Sequence, residues 1–88
     1  MQVINVVSNT IDCFGNKEVF VNGSNSQITT IKSLINAGEL LNIRANGSSI
    51  TFKNSNNIFF LSSNINQTFL LNNGENATFI KVDNVVGK

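Results

Sequence analysis

The chain contains no His and a single cysteine, Cys13. One cysteine excludes an internal disulfide framework and is compatible with folding in a reducing cytosol. A reactive thiol needs a His or a basic neighbour that stabilises the thiolate. We therefore predict a structural or incidental role for Cys13.

Charge is also scarce, at 12% of the residues with a net charge of +1, against about 25% in an average soluble domain. The six basic residues are scattered, so no basic stripe is available for a phosphate backbone. The chain has no Tyr or Trp on which bases could stack. No hydrophobic run approaches the ~20 residues of a membrane span, and no signal-peptide pattern opens the chain. We expect neither nucleic-acid binding nor membrane insertion.

The residues that are present favour strands and turns. The chain has 17 Asn, 9 Ser and 6 Thr, together with 10 Ile, 8 Val, 7 Phe and 6 Leu. Asn and Ser side chains stabilise turns by bonding nearby backbone, whereas branched and aromatic residues suit half-buried strands. The sequence predicts one all-β domain over residues 1–88.

Short strands separated by Asn, Gly and Ser are predicted along the whole chain. Residues 1–21 are less patterned, and residues 28–86 form a strand–turn repeat region with about nine residues per repeat. The predicted strands are residues 2–7, 18–21, 28–31, 39–45, 49–53, 57–61, 67–71 and 77–82. Residues 30–38 could instead form a short helix capped by Thr30 and ended by Gly38, but two strand pieces meeting at a turn are favoured.

Asn-Gly pairs begin at residues 22, 46 and 73, at intervals of 24 and 27. Such a period is typical of the rungs of a β-helix or solenoid, in which each repeat buries a face on the next. A β-prism or β-sandwich remains an alternative.

Apolar residues occur on both faces of the predicted strands. Alternation places Leu41 with Ile43, and Ile50 with Phe52, on one face. The apolar residues that fall on the other face or break the alternation are Leu40, Phe59, Leu61, Leu70 and Ile80. Two-sided apolar strands need cover on both faces, and an 88-residue monomer has little to supply. Self-association would provide that cover.

The pattern I-T-x-I, G-x-x-L-x-I, I-T-F, N-I, F-x-L and G-x-x-A-T-F-I runs through residues 28–80. It resembles the C-terminal end of bacteriophage tailspike and tail-fibre proteins of the pectate-lyase-like β-helix group. The matching positions are Ile28, Thr29, Ile31, Gly38, Leu41, Ile43, Ile50, Thr51, Phe52, Asn57, Ile58, Phe69, Leu71, Gly74, Ala77, Thr78, Phe79 and Ile80. Such tails commonly carry a Trp after an Asp-Asn turn, whereas Val85 follows Asp83-Asn84 here.

The resemblance implies an intertwined homotrimer beneath an upstream β-helix domain of the same spike. It also implies a location in the virion, after assembly in the bacterial cytoplasm. The catalytic carboxylates of related spikes lie in the upstream domain.

No catalytic or metal-binding constellation is found in the sequence itself. Glycoside hydrolysis needs two carboxylates about 5 to 9.5 Å apart, and no close pair stands out among Asp12, Glu18, Glu39, Glu75 and Asp83. No loop has the density of acids of a calcium site. We predict a protein that is not an enzyme and that has no catalytic residue, metal or cofactor.

The leading functional hypothesis is a structural module that trimerises, caps and stabilises a phage tailspike or tail fibre. Its predicted oligomer core is Leu41, Ile43, Ile50, Phe52, Ile58, Phe60, Phe69, Leu71 and Phe79. The alternative is a carbohydrate-binding module that recognises host surface polysaccharide, because amides bond hydroxyl groups and aromatic rings stack on sugar faces. Its candidate contacts are Asn54, Asn56, Asn57, Asn64 and Asn66, although turn-stabilising roles for these amides are favoured.

Overall fold

The computed structural model describes residues 2–59 and 68–88, with the backbone alone for residues 56–59. The described chain is all-β and contains no helix. Its strands are β1 (Gln2–Asn5), β2 (Thr10–Asp12), β3 (Glu18–Asn22), β4 (Gln27–Lys32), β5 (Leu40–Ala45), β6 (Ile50–Phe59), β7 (Thr68–Leu71), β8 (Asn76–Val82) and β9 (Val85–Gly87).

The first six strands form two parallel ladders. The first ladder is β1, β3 and β5, with Val3 opposite Phe20 and Phe20 opposite Arg44. The second ladder is β2, β4 and β6, with Ile11 opposite Ile31. Consecutive strands alternate between the two ladders. We call each pair of consecutive strands, one from each ladder, a rung; after each rung the chain adds its next strand to the first ladder. β1 and β2 supply the first rung of this arrangement, and β3 begins the second.

The last three strands cover the end of the ladders that lies opposite to β1 and β2. β8 pairs antiparallel with β5, placing Phe79 opposite Leu41, and β7 pairs antiparallel with β6. β9 pairs antiparallel with β8 and parallel with the end of β6. The nine described strands thereby form one continuous sheet that wraps around its own core.

The structure departs from the predictions at several places along the described chain. Residues 33–39 form a loop and a turn, so the alternative helix over residues 30–38 is wrong. The turn predicted at residues 54–56 is also wrong, because β6 continues through it. Two strands were missed, β2 and β9, since each has only three residues.

A change of register explains the continuous β6. Ile28 lies opposite Phe52, but Thr30 lies opposite Asn57, so β6 has three more residues than β4 between these pairs. The Ser55 hydroxyl donates a hydrogen bond to the Thr29 carbonyl within this irregularity. A bulge of this kind re-aims the side chains that follow it, and both Ile28 and Ile31 of β4 remain buried.

The apolar core lies between the inner faces of the two ladders. Alternate residues of each strand point inward, as the pleat requires. The Phe52 ring centre lies 5.0 Å from that of Phe79 and 6.1 Å from that of Phe69. The buried hydrophobic residues of the described chain are Ile11, Cys13, Val19, Val21, Ile28, Ile31, Ile35, Leu41, Ile43, Ala45, Ile50, Phe52, Leu71, Ala77, Phe79 and Val86.

The three Asn-Gly pairs meet at one corner of the molecule. The Asn46 N–H donates to the Val21 carbonyl at 2.9 Å, next to the pair at residues 22–23. The Gly47 N–H donates to the Asn73 side-chain oxygen at 2.8 Å. The interval of 24 matches the parallel register, in which Val21 lies opposite Ala45. The interval of 27 reaches a turn that enters the antiparallel strand β8 instead.

Candidate functional site: an open end and a neighbouring hollow

The strands β1 and β2 form what we call the open end of the molecule. They are the two outermost strands of the described sheet, so each has one edge without a partner strand in the described chain. Natural proteins often protect such edges with Lys, Pro or bulges. The sequence of β1 is QVIN and has no charge, and Val3 and Val7 of this region are exposed. The open end is therefore well suited to pairing with another strand.

A tight turn fixes β2 against the next rung. Ser8 and Asn9 both have positive φ, at 52° and 59°, which is the pattern of a type I′ turn. The amides and carbonyls of Val7 and Thr10 exchange hydrogen bonds at 3.0 Å across this turn. The Asn9 side chain donates to the Gln27 carbonyl at 2.9 Å. The open edge is thus held in place by the rung beneath it.

A hollow of about 550 Å³ lies beside β2 and β4. It is lined by Asp12, Phe14, Thr30, Ile31, Lys32, Ser33, Leu34, Lys81 and Asn84. A second hollow of about 340 Å³ shares Asp12 and Lys32 with it, and these two residues lie opposite each other in the ladder. The larger hollow has the volume of ordinary small-molecule sites.

Phe14 stands at the rim of the larger hollow in an unusual backbone conformation. It occupies the first central position of the turn over residues 13–16, which is closed by an Asn16 N–H bond to the Cys13 carbonyl at 3.0 Å. Its φ is 50°, whereas the following Gly15 is outside the positive-φ region. A bulky residue with positive φ is strained by about 1 to 3 kcal/mol. The Phe14 side chain is 55% exposed, so burial of the ring does not offset this strain.

Hydrogen bonds hold the residues around Phe14 in position. The Asp12 carboxylate accepts from the Phe14 N–H at 3.1 Å, and the Leu34 N–H donates to the Phe14 carbonyl at 2.7 Å. Across the hollow, the Lys81 ammonium donates to the Ser33 carbonyl at 2.7 Å. Two lysines and one aspartate line the hollow, so its wall carries a net positive charge. Sequence reasoning missed this site, because its residues come from three separate strands and loops.

Cys13 is buried in the hydrophobic core. Burial, with a smaller contribution from the neighbouring Asp12 charge, raises the pKa of the thiol to about 12. A thiol with such a pKa is protonated at neutral pH, and a structural or incidental role for Cys13 stays a prediction. Among the described residues, no three His, Cys, Asp or Glu side chains come together to hold a metal ion.

The turns that precede β5 and β8 share a motif that sequence reasoning also missed. Residues 36–39 and 72–75 both read N-x-G-E, and each glycine has a φ near +87° at the third position, as a type II turn requires. In each turn the Glu carboxylate accepts a bond from the first Asn N–H, at 2.7 and 2.8 Å. The repetition of N-x-G-E in the sequence could have identified these two turns.

The two turns extend the β5–β8 pairing at opposite ends. The Gly38 N–H donates to the Lys81 carbonyl, and the Gly74 N–H donates to the Ala45 carbonyl, both at 2.8 Å. The turn at residues 36–39 also carries an ion pair, in which the Lys17 ammonium lies 2.5 Å from the Glu39 carboxylate. The Lys17 hydrogen bond, followed by the Asn36 N–H bond, lowers the pKa of Glu39.

The residues predicted as an oligomer core divide into three groups. Six of them, Leu41, Ile43, Ile50, Phe52, Leu71 and Phe79, are buried by the single chain. Phe69 is partly buried against the same core. The side chain of Ile58 and the whole of Phe60 lie outside the described residues. Since the chain itself covers the first six, their burial needs no second chain, and contacts between chains through them stay a prediction.

The predicted glycan contacts lie mostly outside the described residues. Asn54 is half-buried in β6 rather than at a turn. Asn56 and Asn57 also belong to β6, but their side chains are not described, and Asn64 and Asn66 lie outside the described ranges. A groove formed by these amides stays a prediction.

Searches of protein-family models, curated proteins and solved structures find no match to this chain. The part of the chain that the structure describes has no helix long and apolar enough to cross a membrane.

Proposed function

We propose that this chain is a structural module that caps a parallel β-helix in a homotrimeric spike of the phage tailspike or tail-fibre type. In this role it stabilises the virion spike by mutual burial and carries out no catalysis. The observation that carries the proposal is the difference between its two ends. Parallel rungs begin at an unprotected edge, whereas antiparallel strands end them.

The open end supports a preceding rung of the same kind. A parallel rung stacked on β1 and β2 would pair their free N–H and C=O groups, which are costly to leave unsatisfied once water is excluded. It would also cover the exposed Val3 and Val7. At the other end of the described chain, β8 already occupies the edge of β5 on which a further parallel rung would pair. These features suit the downstream terminus of a β-helix.

The outer face of β5, β8 and β9 supports association of the module with copies of itself. Leu40 and Val82 are exposed there, and Ile80 lies directly opposite Leu40 in the ladder. Val85 lies opposite Val82. These four residues form a continuous outer apolar row, which we call the outer row. Burying the outer row between chains would stabilise a trimer by removing apolar surface from water.

The mass of the native particle in solution tests the trimer. We expect light scattering on a sizing column to give three chain masses across a dilution series. Leu40→Glu should dissociate the particle without unfolding it, because the new charge would be buried only between chains. Leu70→Glu is a matched control, since Leu70 is equally exposed but lies on β7. A monomer at every concentration would contradict the trimer.

A pair of fusion proteins tests the cap. Two designed parallel rungs joined before Gln2 should unfold with the module in one cooperative transition, at a higher urea concentration than the chain alone. The same rungs joined after Lys88 meet the closed end, and we expect two separate transitions. Separate transitions in both fusions would be evidence against capping, whatever the oligomeric state.

A further inference from the structure

We infer that the larger hollow binds an acidic saccharide, with the Phe14 ring stacked on a sugar face and Lys32 bound to a carboxylate. This site is distinct from the Asn-rich residues 54–66 and does not depend on the capping role.

The strained, exposed Phe14 is the first observation behind this inference. The turn places positive φ on Phe14 and not on Gly15, which would adopt it without strain. Strain of this kind persists where the surrounding structure enforces it, and it clusters at ligand sites. Here the Asp12 carboxylate and the Leu34 N–H enforce it through their hydrogen bonds to the Phe14 backbone. The result is a partly exposed aromatic ring in the lining of a hollow.

The lining of the hollow is the second, independent observation. Thr30 and Ser33 carry hydroxyl groups, and Asn84 carries an amide; both kinds of group can donate and accept hydrogen bonds. Sugar hydroxyl groups need partners of this kind. The negative face of an aromatic ring attracts the positively polarised C–H groups that cover one side of many sugar rings. Leu34, at 75% exposure, extends the apolar rim beside Phe14.

The net positive charge of the hollow favours acidic saccharides over neutral ones. The Asp12 carboxylate is already engaged by the Phe14 N–H, and the Lys81 ammonium is held by the Ser33 carbonyl. Lys32 is exposed and adds a second positive charge. With two lysines and one aspartate in its lining the hollow has a net positive charge, and a ligand carboxylate would accept a bond from Lys32. Charge-assisted hydrogen bonds of this kind are about twice as strong as neutral ones. A neutral sugar would lack this interaction.

The test is a titration of the ¹⁵N-labelled full chain followed by NMR. The probe is a tetrasaccharide of alternating uronic acid and N-acetylhexosamine, with a neutral tetrasaccharide as comparison. We expect saturable shifts of backbone amides in residues 13–15, 30–34 and 81–84. Affinity should fall with added salt, because salt screens the exposed lysines. The neutral tetrasaccharide should bind at least about tenfold more weakly.

Two variants separate the roles of the ring and the charge. Phe14→Gly removes the ring while tolerating the positive φ, and it should weaken binding of the acidic probe about tenfold or more without lowering stability. Its control is Leu70→Ala, a change at an equally exposed apolar residue outside the hollow. Lys32→Gln should also weaken binding about tenfold and remove most of its salt dependence. Its control is Lys53→Gln, because Lys53 is exposed on β6.

Five outcomes would overturn the inference, four from the saccharides and variants above and a fifth from an acidic peptide. The first four are the absence of saturable shifts, shifts confined to other residues, equal affinity for the acidic and the neutral probe, and equal losses in the variants and their controls. Shifts at the same residues with an acidic peptide but not with either saccharide would also overturn it.

Discussion

The closed end and the open end of this chain treat strand edges differently. At the closed end, β8 runs antiparallel to β5, and N-x-G-E turns continue the pairing beyond both ends of the two strands. At the open end, β1 and β2 are parallel strands whose outer edges have no partner in the described chain. A further parallel strand could pair with the open edge in the same register as the strands already in the ladder. At the closed end, antiparallel strands of the same chain already occupy the edge. The direction of pairing thus decides where such a ladder can grow.

Removal of a closed-end aromatic should have the largest effect. Phe79 is buried and contacts the Phe52 ring, so Phe79→Ala should lower the free energy of unfolding by about 3 to 5 kcal/mol. Urea denaturation followed by circular dichroism measures this loss. Val3→Ala at the exposed open end is the comparison, and we expect a change within about 0.5 kcal/mol. Equal losses at the two ends would contradict the difference between them.

Gly23 tests the packing of the Asn-Gly corner. A Cβ atom there would lie 2.0 Å from the Ile50 Cγ2 atom, which is buried. Gly23→Ala should therefore destabilise the chain by about 1 to 3 kcal/mol through overpacking. The double variant Gly23→Ala with Ile50→Ala, which removes the Cγ2 atom of Ile50, should lose less stability than the sum of the two single variants. Additive losses in the double variant would show that the two residues do not contact each other.

The two glycines of the N-x-G-E turns should have smaller and similar effects. Gly38 and Gly74 have φ of +88° and +86°, and an added Cβ would meet no atom within 4 Å at either. Backbone strain is then the main effect of an added Cβ, so Gly38→Ala and Gly74→Ala should each lower the free energy of unfolding by about 1 to 2 kcal/mol. Thermal or urea unfolding measures this loss. Gly15→Ala, at a glycine without positive φ, is the control and should cost less than either.

The sequence predicts the strands with alternating residues and fails where alternation is short or interrupted. Val19 and Val21 mark β3, and Leu41 and Ile43 mark β5. β2 has Ile11 as its only apolar residue, so no alternation could identify it. The polar residues 54–56 resemble a turn but lie in the register irregularity of β6. Local composition cannot distinguish these two cases.

The sites depend on contacts that local patterns do not encode. The Asn-Gly spacing predicts stacked turns, because one rung length separates residues 22 and 46. Phe14, in contrast, looks like an ordinary apolar residue before a Gly-Asn turn signal. Its exposure and its positive φ arise from the Asp12 carboxylate and from Leu34, twenty positions along the chain. A residue whose conformation is imposed by a neighbouring rung cannot be identified before the rungs are stacked.

The smallest expected effect concerns the glutamates of the two N-x-G-E turns, because only Glu39 forms an ion pair among the described residues. The pKa of Glu39 is lowered in the folded chain, chiefly by Lys17. A lowered folded-state pKa stabilises the protein above the unfolded-state pKa of about 4.3, and this stabilisation is lost as pH falls through the folded-state value. Glu39→Gln can keep the Asn36 hydrogen bond but loses the ion pair, so it should be slightly less stable than the original chain at pH 7.

The difference between Glu39→Gln and the original chain should vanish in urea titrations carried out well below pH 4.3. It should also shrink in concentrated salt, because both partners are partly exposed. Glu75→Gln changes the same position of the other turn, for which the described residues include no ion pair, and it should give a smaller difference at pH 7. If the two variants lose equal stability with the same pH profile, Lys17 contributes nothing, and the turn geometry alone accounts for both glutamates.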